Sequence, residues 1–290
     1  MAKTMIASTQ TSTAAAPLVL RWDPDALRPF PAIALKALKL MSGTDTSLLE
    51  LCNLIRSDPA ISGAILRLAN SPLVGFPKTV TSVLQASMLL GFRQLRSLVI
   101  TLGLKAYLHD ACTPLIRSCW RHSVACALIA ERSAKWSFLD NDFAHTAGIL
   151  HDIGRIALAT LMPDSYLRVV EHGANRPQDL LQVEWELCGI DHNQAGSSLV
   201  TAWNLPDAFL ETTACHHTPE QCTLAGAASL IPPSCALADA LGFALIRYES
   251  PRSYAEILNG FPKPAQERFP ADAQEFAADI AQEIKLIESA

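Results

Sequence analysis

The segment Gly148-Ile149-Leu150-His151-Asp152-Ile153-Gly154 places a histidine and an aspartate side by side between two apolar runs. The apolar residues on both sides predict that the pair lies on a mostly buried helix. Burying two polar groups without partners costs free energy, so we expect other polar side chains around them. A nitrogen ligand and a carboxylate ligand together suit divalent Mn, Fe, Co or Zn, whereas a purely structural zinc site usually recruits cysteines.

The composition favours a helical protein with a sizeable core. Half of the 290 residues are hydrophobic, 13 are glycine and 7% are aromatic, which argues against a β-sandwich or barrel. The formal charge of −5 gives no electrostatic reason to expect nucleic-acid binding. Because no apolar run predicts a membrane span or a signal peptide, we expect a cytoplasmic protein with a disordered leader at 1–20, no membrane association and no nucleic-acid partner.

Helical periodicity continues along the chain without an alternating strand pattern, so we predict an all-α fold. Asp58-Pro59 is a strong helix start, Asn70-Ser71-Pro72 is a helix stop, and Gly91 predicts a turn. A joint between two lobes is predicted at 110–114. The predicted helices cover about residues 31–41, 48–55, 59–68, 82–90, 93–107, 115–136, 143–161, 180–187, 191–203, 206–217, 224–248 and 272–288.

Further polar residues lie where helices could bring them to the His-Asp pair. They are His122, His192, His216, His217 and Asp239. From the residues alone, each keeps an ordinary alternative, either a buried histidine with a hydrogen-bond partner or an aspartate that caps or pairs locally. The remaining histidines, His109, His145 and His172, are expected to be solvated. The eight cysteines form no C-x-x-C pair and lie among apolar residues, so we expect buried, reduced thiols.

Two sets of short motifs occur in a fixed order along the chain. The first set is Ser57-Asp58-Pro59-Ala60, Leu66-Arg67-Leu68-Ala69-Asn70-Ser71-Pro72, Ala86 and Leu90-Gly91. The second set is Trp120-Arg121-His122-Ser123, the His-Asp segment, Glu184-x-Glu186-x-x-Gly189-x-Asp191-His192, Trp203-x-Leu205-Pro206 and His216-His217. Together, over about residues 25–245, they resemble the HDOD family, the HD-related output domains of bacterial signalling proteins.

The resemblance implies a domain organisation. It implies an all-α, two-lobed helical bundle whose C-terminal lobe is similar to HD phosphohydrolases. The expected parts are an N-terminal helical lobe at 21–110, an HD-like lobe at 111–248 and a C-terminal helical extension at 249–290.

The resemblance also implies metal sites. In HD enzymes a first histidine, the His-Asp pair and a distant aspartate hold one metal, and in related cyclic-dinucleotide phosphodiesterases three more histidines help to hold a second. Two such ions would clamp a phosphodiester and activate a water. The implied cofactor is a divalent metal, namely Fe, Mn, Zn or Mg. The implied ligands are His122, His151, Asp152 and Asp239 for the first metal and His192, His216 and His217 for the second.

Three departures from those phosphodiesterases weaken the enzyme interpretation. A lysine follows their HDIG run, whereas this chain has Arg155, a candidate phosphate or ligand contact that cannot give up a proton at neutral pH. Their Gly-Tyr-Pro motif after the double histidine is replaced by Thr218-Pro219-Glu220. Four residues before His122, where some of them place a carboxylate, this chain has Ser118.

Two functions from different classes follow from these observations. The first is a bacterial signal-transduction module that acts on another signalling protein, or binds a small ligand such as a nucleotide, and retains a metal site without turnover. The alternative is a metal-dependent phosphohydrolase acting on a nucleotide or a cyclic dinucleotide. We favour the first, because the departures fall around the catalytic centre and most of the resembled family is regarded as non-catalytic.

Overall fold

Helices account for the regular structure of this chain. The computed structural model describes residues 22–27, 32–39, 48–72, 74–77, 79–108, 113–173, 180–218, 223–246 and 252–289. Within these ranges the chain forms helices and no β-strand, which confirms the predicted all-α class. The predicted leader at 1–20 and most of the predicted joint, residues 110–112, lie outside the described residues.

The N-terminal lobe packs three short helices against one long helix. Asp58 begins the third short helix as predicted, because its side chain accepts a hydrogen bond from the Ile61 amide at 3.1 Å. The long helix is bent at Gly91, whose φ of 76° is the left-handed conformation that glycine adopts without strain. The predicted turn at Gly91 is therefore confirmed as a kink. The helices are α1 (Ala32–Lys39), α2 (Leu48–Arg56), α3 (Pro59–Ala69) and α4 (Val83–Leu108).

The HD-like lobe is built around one central helix, which is buried from His122 to Ala130 on all its faces. Such a helix must be covered by others, and α5 packs against α6, α7 and α12. The helices of this lobe are α5 (Pro114–Trp136), α6 (Asn141–Leu150), α7 (Ile153–Leu161), α8 (Pro163–Gly173), α9 (Leu180–Cys188), α10 (His192–Ala202), α11 (Ala208–Cys215) and α12 (Ile231–Ala238).

The His-Asp pair lies in a turn and not on a helix. The predicted continuous helix at 143–161 is wrong, because α6 ends at Leu150 and α7 begins at Ile153. Helix α7 packs on α10 with backbone contact: a Cβ added to Gly154 would lie 2.0 Å from the His192 carbonyl oxygen. This approach, which only glycine allows, orients the turn that carries His151 and Asp152.

The segment predicted as one helix at 224–248 is also interrupted. A 3₁₀ turn at Gly226–Leu230 precedes α12, and a π-helical turn at Asp239–Phe243 follows it. Gly242 has a φ of 93° inside the π-helical turn, which ends the helix there. Asp239 therefore lies at the junction between two helix types and not in the middle of one helix.

The last helix joins the two lobes. The C-terminal segment forms α13 (Tyr254–Leu258), α14 (Lys263–Gln266) and α15 (Ala273–Ser289), of which only α15 was predicted. The apolar face of α15 packs on α5, and Arg121 of α5 donates two hydrogen bonds of 3.0 Å to the Glu288 carboxylate. Lys105 of α4 donates to the carbonyl oxygens of Ile287 and Glu288 at 3.1 and 2.7 Å. No helix in the described part of the chain is both long enough and apolar enough to cross a membrane.

His145 is buried, which contradicts the expectation that it is solvated. Its ring, only 4% exposed, lies 2.7 Å from Glu131 Oε2 through Nδ1 and 3.2 Å from Thr101 Oγ1 through Nε2. Thr101 belongs to α4 and Glu131 to α5, so His145 on α6 connects the N-terminal lobe to the HD-like lobe. His172 is exposed as expected, and His109 lies outside the described residues.

We expect Glu131→Gln to lower the free energy of unfolding by about 1 kcal/mol at neutral pH. Burial alone would raise the pKa of Glu131, but His145 outweighs burial and holds this pKa below the ordinary value of 4.5. A carboxyl with a lowered folded-state pKa stabilises the protein above its unfolded pKa, and this contribution disappears as the pH falls through the folded pKa. Urea unfolding should therefore show that the difference in free energy of unfolding between the wild type and Glu131→Gln is present at neutral pH and shrinks towards zero at about pH 3.

Glu171→Gln in the exposed part of α8 is the matched control, and it should change the free energy of unfolding at neither pH. A destabilisation by Glu131→Gln that stays constant with pH would show that the ionised Glu131 carboxylate beside His145 is not its cause.

Candidate metal centre

Asp152 is the common partner of four buried histidines. Its Oδ1 lies 3.1 Å from His216 Nε2 and 3.5 Å from His192 Nε2. Its Oδ2 lies 3.5 Å from His122 Nε2 and 3.6 Å from His151 Nε2. Each oxygen of the Asp152 carboxylate therefore faces one pair of imidazole nitrogens. These contacts confirm that the predicted His-Asp pair is buried among other polar side chains.

Three of these histidines are fixed through their outer ring nitrogen, Nδ1. In His151 this nitrogen lies 2.7 Å from the Gly148 carbonyl oxygen, and in His216 it lies 3.2 Å from the Thr212 carbonyl oxygen. In His192 it lies 2.5 Å from Glu184 Oε2. A hydrogen bond from Nδ1–H to such an acceptor leaves the lone pair of Nε2 directed at the centre, which is how metal-binding histidines are usually oriented.

His122 has the Asp239 carboxylate at the same ring nitrogen, as a close charged contact without hydrogen-bond geometry. Asp239 Oδ1 lies 3.1 Å from His122 Nδ1, on the side of the ring that faces away from Asp152. In this geometry Asp239 orients His122 from outside the centre. Its assignment as a direct metal ligand, which the resemblance implied, stays a prediction.

Two groups of donor atoms could each hold a metal ion. The atoms within each group lie within 4.8 Å of one another. In one group Cys235 lies beside His122 and His151, and in the other group His192, His216 and His217 surround Asp152. Because Asp152 also faces the first group through Oδ2, it could bridge two ions. The donors thus fit a divalent metal, and the observation that supports this fit is His151 Nε2, which is buried and makes no hydrogen bond.

Arg155 brings a fixed positive charge into the centre. The side chain is 4% exposed, its Nε lies 3.2 Å from Asp152 Oδ2, and its Nη2 lies 2.9 Å from His217 Nε2. The guanidinium therefore neutralises the bridging carboxylate and donates a hydrogen bond to a histidine that would otherwise be available as a ligand. The prediction that Arg155 contacts a phosphate or ligand stays a prediction.

The electrostatics of the centre keep Asp152 charged and several histidines neutral. Burial alone would raise the pKa of Asp152, but Arg155 and His151 outweigh burial and hold this pKa well below its ordinary value. Burial lowers the pKa of His151 and His217 well below the ordinary value and also lowers that of His216. Burial would also lower the pKa of His122, but Asp239 outweighs burial and raises it. Neutral imidazoles around an ionised carboxylate are the protonation states that metal ligation requires.

Glu184 and Cys235 belong to the centre and were not predicted as site residues. Glu184 accepts hydrogen bonds from the Tyr166 hydroxyl and the His192 backbone amide. Its carboxylate also contacts Nδ1 of the His192 ring. Glu184 is the first residue of the motif that ends at His192, but its role depends on contacts that only the folded chain shows. Cys235 lies four residues before Asp239, a spacing that puts both on one helix face and could have identified it.

The cysteines largely follow the expectation of buried, reduced thiols. Those described as free and buried are Cys52, Cys119, Cys126, Cys188 and Cys235. Cys215, beside His216, is disulfide-bonded, so the expectation is wrong at that position. Ser118 is exposed and donates to the Pro114 carbonyl oxygen, so it contributes no donor to the centre.

Comparison with known proteins identifies the family. A family model described as the HDOD domain matches residues 27–219 of this chain. The chain belongs to the HDOD family. The match includes all the described histidines of the centre, Asp152 and Arg155, whereas Cys235 and Asp239 lie beyond it. An uncharacterized protein of Treponema pallidum (strain Nichols) is 24% identical over 212 residues, which are 72% of this chain and 40% of that protein. The chain thus spans about two fifths of the length of that relative.

Three solved structures share the fold. An HDOD domain protein of unknown function from Geobacter sulfurreducens is 25% identical, with a TM-score of 0.71 over 91% of this chain and 92% of that chain. A candidate phosphohydrolase from Shewanella amazonensis SB2B is 20% identical, with a TM-score of 0.66 over 91% of this chain and 93% of that chain. A candidate signal transduction protein from Marinobacter aquaeolei VT8 is 22% identical, with a TM-score of 0.63 over 91% of this chain and 59% of that chain. The last two likenesses concern the fold alone.

Proposed function

We propose that this HDOD protein is a regulatory module that acts by binding another signalling protein or a small ligand, without turning over a substrate. In this proposal the histidine–aspartate centre organises the HD-like lobe and holds a metal as part of its structure. The surface that a partner recognises is then maintained by the core beneath it.

The observation that carries this proposal is the position of the Arg155 guanidinium. It pairs with Asp152 and donates to His217, so an ion bound among Asp152, His192 and His217 would lie beside a permanent positive charge. Like charges at such short distances in a buried site repel strongly. A second metal would therefore have to displace Arg155, and this makes a two-metal hydrolytic centre unfavourable.

Burial of the centre supports the same proposal. His151 and His192 are fully buried, and Asp152 is 1% exposed. A phosphodiester substrate must reach the ions with both its attacking and its leaving oxygens. Such access would require helices of the HD-like lobe to move apart.

A second candidate function is metal-dependent phosphodiester hydrolysis. The observation that favours it is the bridging geometry of Asp152, with oriented histidines on both of its oxygens. When bound, the metals of such a centre would supply charge stabilisation and an activated water. This chain's own residues would then bind the metals, and Arg155, released from His217, would contact the phosphate.

We expect full-length protein supplied with Mn²⁺ or Fe²⁺ to show no hydrolysis of cyclic di-GMP or of bis(p-nitrophenyl) phosphate above the background without enzyme. The reason is that Arg155 occupies the second half of the centre. Release of p-nitrophenolate and chromatographic separation of nucleotides measure the two reactions. Metal-dependent turnover that disappears in His151→Gln would contradict the proposal and favour the hydrolase.

The regulatory role has its own test in a strain lacking the gene. Full-length His151→Gln, which removes one donor and keeps a side chain of similar length, should restore the phenotype of the strain once circular dichroism has shown the variant to be folded, because contact requires the folded surface and not turnover. Failure of a folded His151→Gln protein to restore it, combined with turnover by the wild type, would replace the proposal by the alternative.

A further inference from the structure

Cys235 lies at the metal centre but has no place in the ligand set that the family resemblance implies. It is carried by α12, is 4% exposed, and its Sγ lies 3.5 Å from His122 Nε2. The Sγ atom, His122 and His151 form one of the two donor groups of the centre.

Cys235 and Asp239 contact opposite nitrogens of the same imidazole. Asp239, one helical turn after Cys235, lies 3.1 Å from His122 Nδ1 and is 25% exposed at its side chain. Cys235 lies at Nε2, the nitrogen that also faces Asp152. The Asp239 carboxylate thus faces His122 from the Nδ1 side, and Nε2 faces the sulfur, so the thiol and not the carboxylate occupies the inner position.

The contact between Cys235 and His122 has a simple chemical form without metal. A thiol is a weak donor, and the Cys235 S–H can point at the lone pair of His122 Nε2. A divalent ion that binds at this position replaces the thiol proton, which passes to solvent, and both the sulfur and the nitrogen then donate a lone pair to the ion. The distance of 3.5 Å between the two atoms suits ligands that share an ion, because Zn–S and Zn–N bonds are about 2.3 and about 2.0–2.1 Å long.

We infer that Cys235 is a thiolate ligand of the first metal position, together with His122, His151 and Asp152, and that it makes this position selective for Zn²⁺ over Mn²⁺ and Mg²⁺. Thiolates favour Zn²⁺, whereas Mn²⁺ and Mg²⁺ prefer oxygen donors. The inference goes beyond the proposed function, because it concerns which ion is held and applies with or without turnover.

Co²⁺ provides a direct probe of the sulfur ligand, because a thiolate bound to Co²⁺ gives an intense charge-transfer absorption in the near ultraviolet. We expect this absorption in full-length wild-type protein titrated with Co²⁺, and its loss in Cys235→Ser. Cys126→Ser is the matched control. Cys126 is also a buried free thiol and lies one turn after His122 on α5, but it is outside the donor group.

Metal competition measures the selectivity. We expect Cys235→Ser to weaken Zn²⁺ binding at least about tenfold while leaving Mn²⁺ binding nearly unchanged. Circular dichroism should show that each variant remains helical.

Three outcomes would overturn the inference. They are Co²⁺ binding to the wild type without the charge-transfer band, a band that persists in Cys235→Ser or disappears only in Cys126→Ser, and a wild type that binds none of these ions. The first two outcomes concern only the sulfur ligand and leave the proposed function untouched. The third would also show that the centre holds no metal, whereas the absence of turnover in the proposed function is tested separately by the hydrolysis assays.

Discussion

Asp152→Ala is expected to lower the free energy of unfolding by about 3–5 kcal/mol, because it removes one partner of a buried ion pair. Arg155 Nε lies 3.2 Å from Asp152 Oδ2, and both side chains are almost completely buried. The same substitution removes the acceptor that faces both pairs of histidines, so metal binding should be lost as well. Urea unfolding followed by circular dichroism measures the first effect, and metal analysis of the purified variant measures the second.

Two further variants separate the ion pair from other effects of the substitution. Asp164→Ala, in the exposed first turn of α8, should change the free energy of unfolding by less than about 0.5 kcal/mol. The double variant Asp152→Ala/Arg155→Met should be more stable than Asp152→Ala alone, since it no longer buries a guanidinium in a centre that has lost the Asp152 carboxylate. If the single and double variants are equally unstable, the loss does not come from breaking the ion pair between Asp152 and Arg155.

Gly154→Ala is expected to cost about 3 kcal/mol or more, because the new methyl group would overlap the backbone of α10. An added Cβ would lie 2.0 Å from the His192 carbonyl oxygen and 2.7 Å from the Gly196 amide nitrogen. Backbone atoms cannot turn away as the end of a side chain can, so α7 and α10 must separate. The separation would also move His192 away from Asp152, and metal binding should weaken together with stability.

Gly63→Ala provides the matched control for this substitution. Gly63 lies inside α3, and an added Cβ would meet only Arg67 Nη1 at 3.7 Å, which is ordinary van der Waals contact. Because alanine favours a helix over glycine by roughly 0.5–1 kcal/mol, this variant should be as stable as the wild type or more stable. A Gly154→Ala protein that unfolds at the same urea concentration as Gly63→Ala would show that α7 and α10 can move apart freely.

Local signals in the sequence were enough to predict much of the fold. Asp58 caps a helix as predicted, because a cap depends on a residue three positions away and on little else. The kink at Gly91 is likewise a property of one residue. The class of fold followed from the apolar spacing, which tertiary contacts did not override.

Contacts between distant residues explain where the sequence was insufficient. The helix break at His151 and Asp152 depends on the approach of Gly154 to His192, which lies on another helix. The burial of His145 depends on Glu131 and Thr101, 14 and 44 residues away. No pattern around these positions distinguishes a continuous helix from two, or a surface histidine from a buried one.

The candidate centre was predicted more fully in its residues than in their roles. The histidines and Asp152 converge as the resemblance implied, since their spacing along the chain resembles that of a known family. The roles of Asp239 and Cys235 depend on which nitrogen of His122 each one reaches, and this depends on the rotation of α12 about its axis. Helical spacing predicts that the two share a face, but it does not fix that rotation.

The contacts of Lys105 have a consequence for local opening of the molecule. Lys105 satisfies the carbonyl oxygens of Ile287 and Glu288, which a helix end otherwise leaves to solvent. The last turn of α15 therefore cannot fray without breaking hydrogen bonds to α4. In hydrogen–deuterium exchange, the amides of this terminal turn should be protected together with those around Lys105, as one cooperative unit formed from two segments 182 residues apart in the chain.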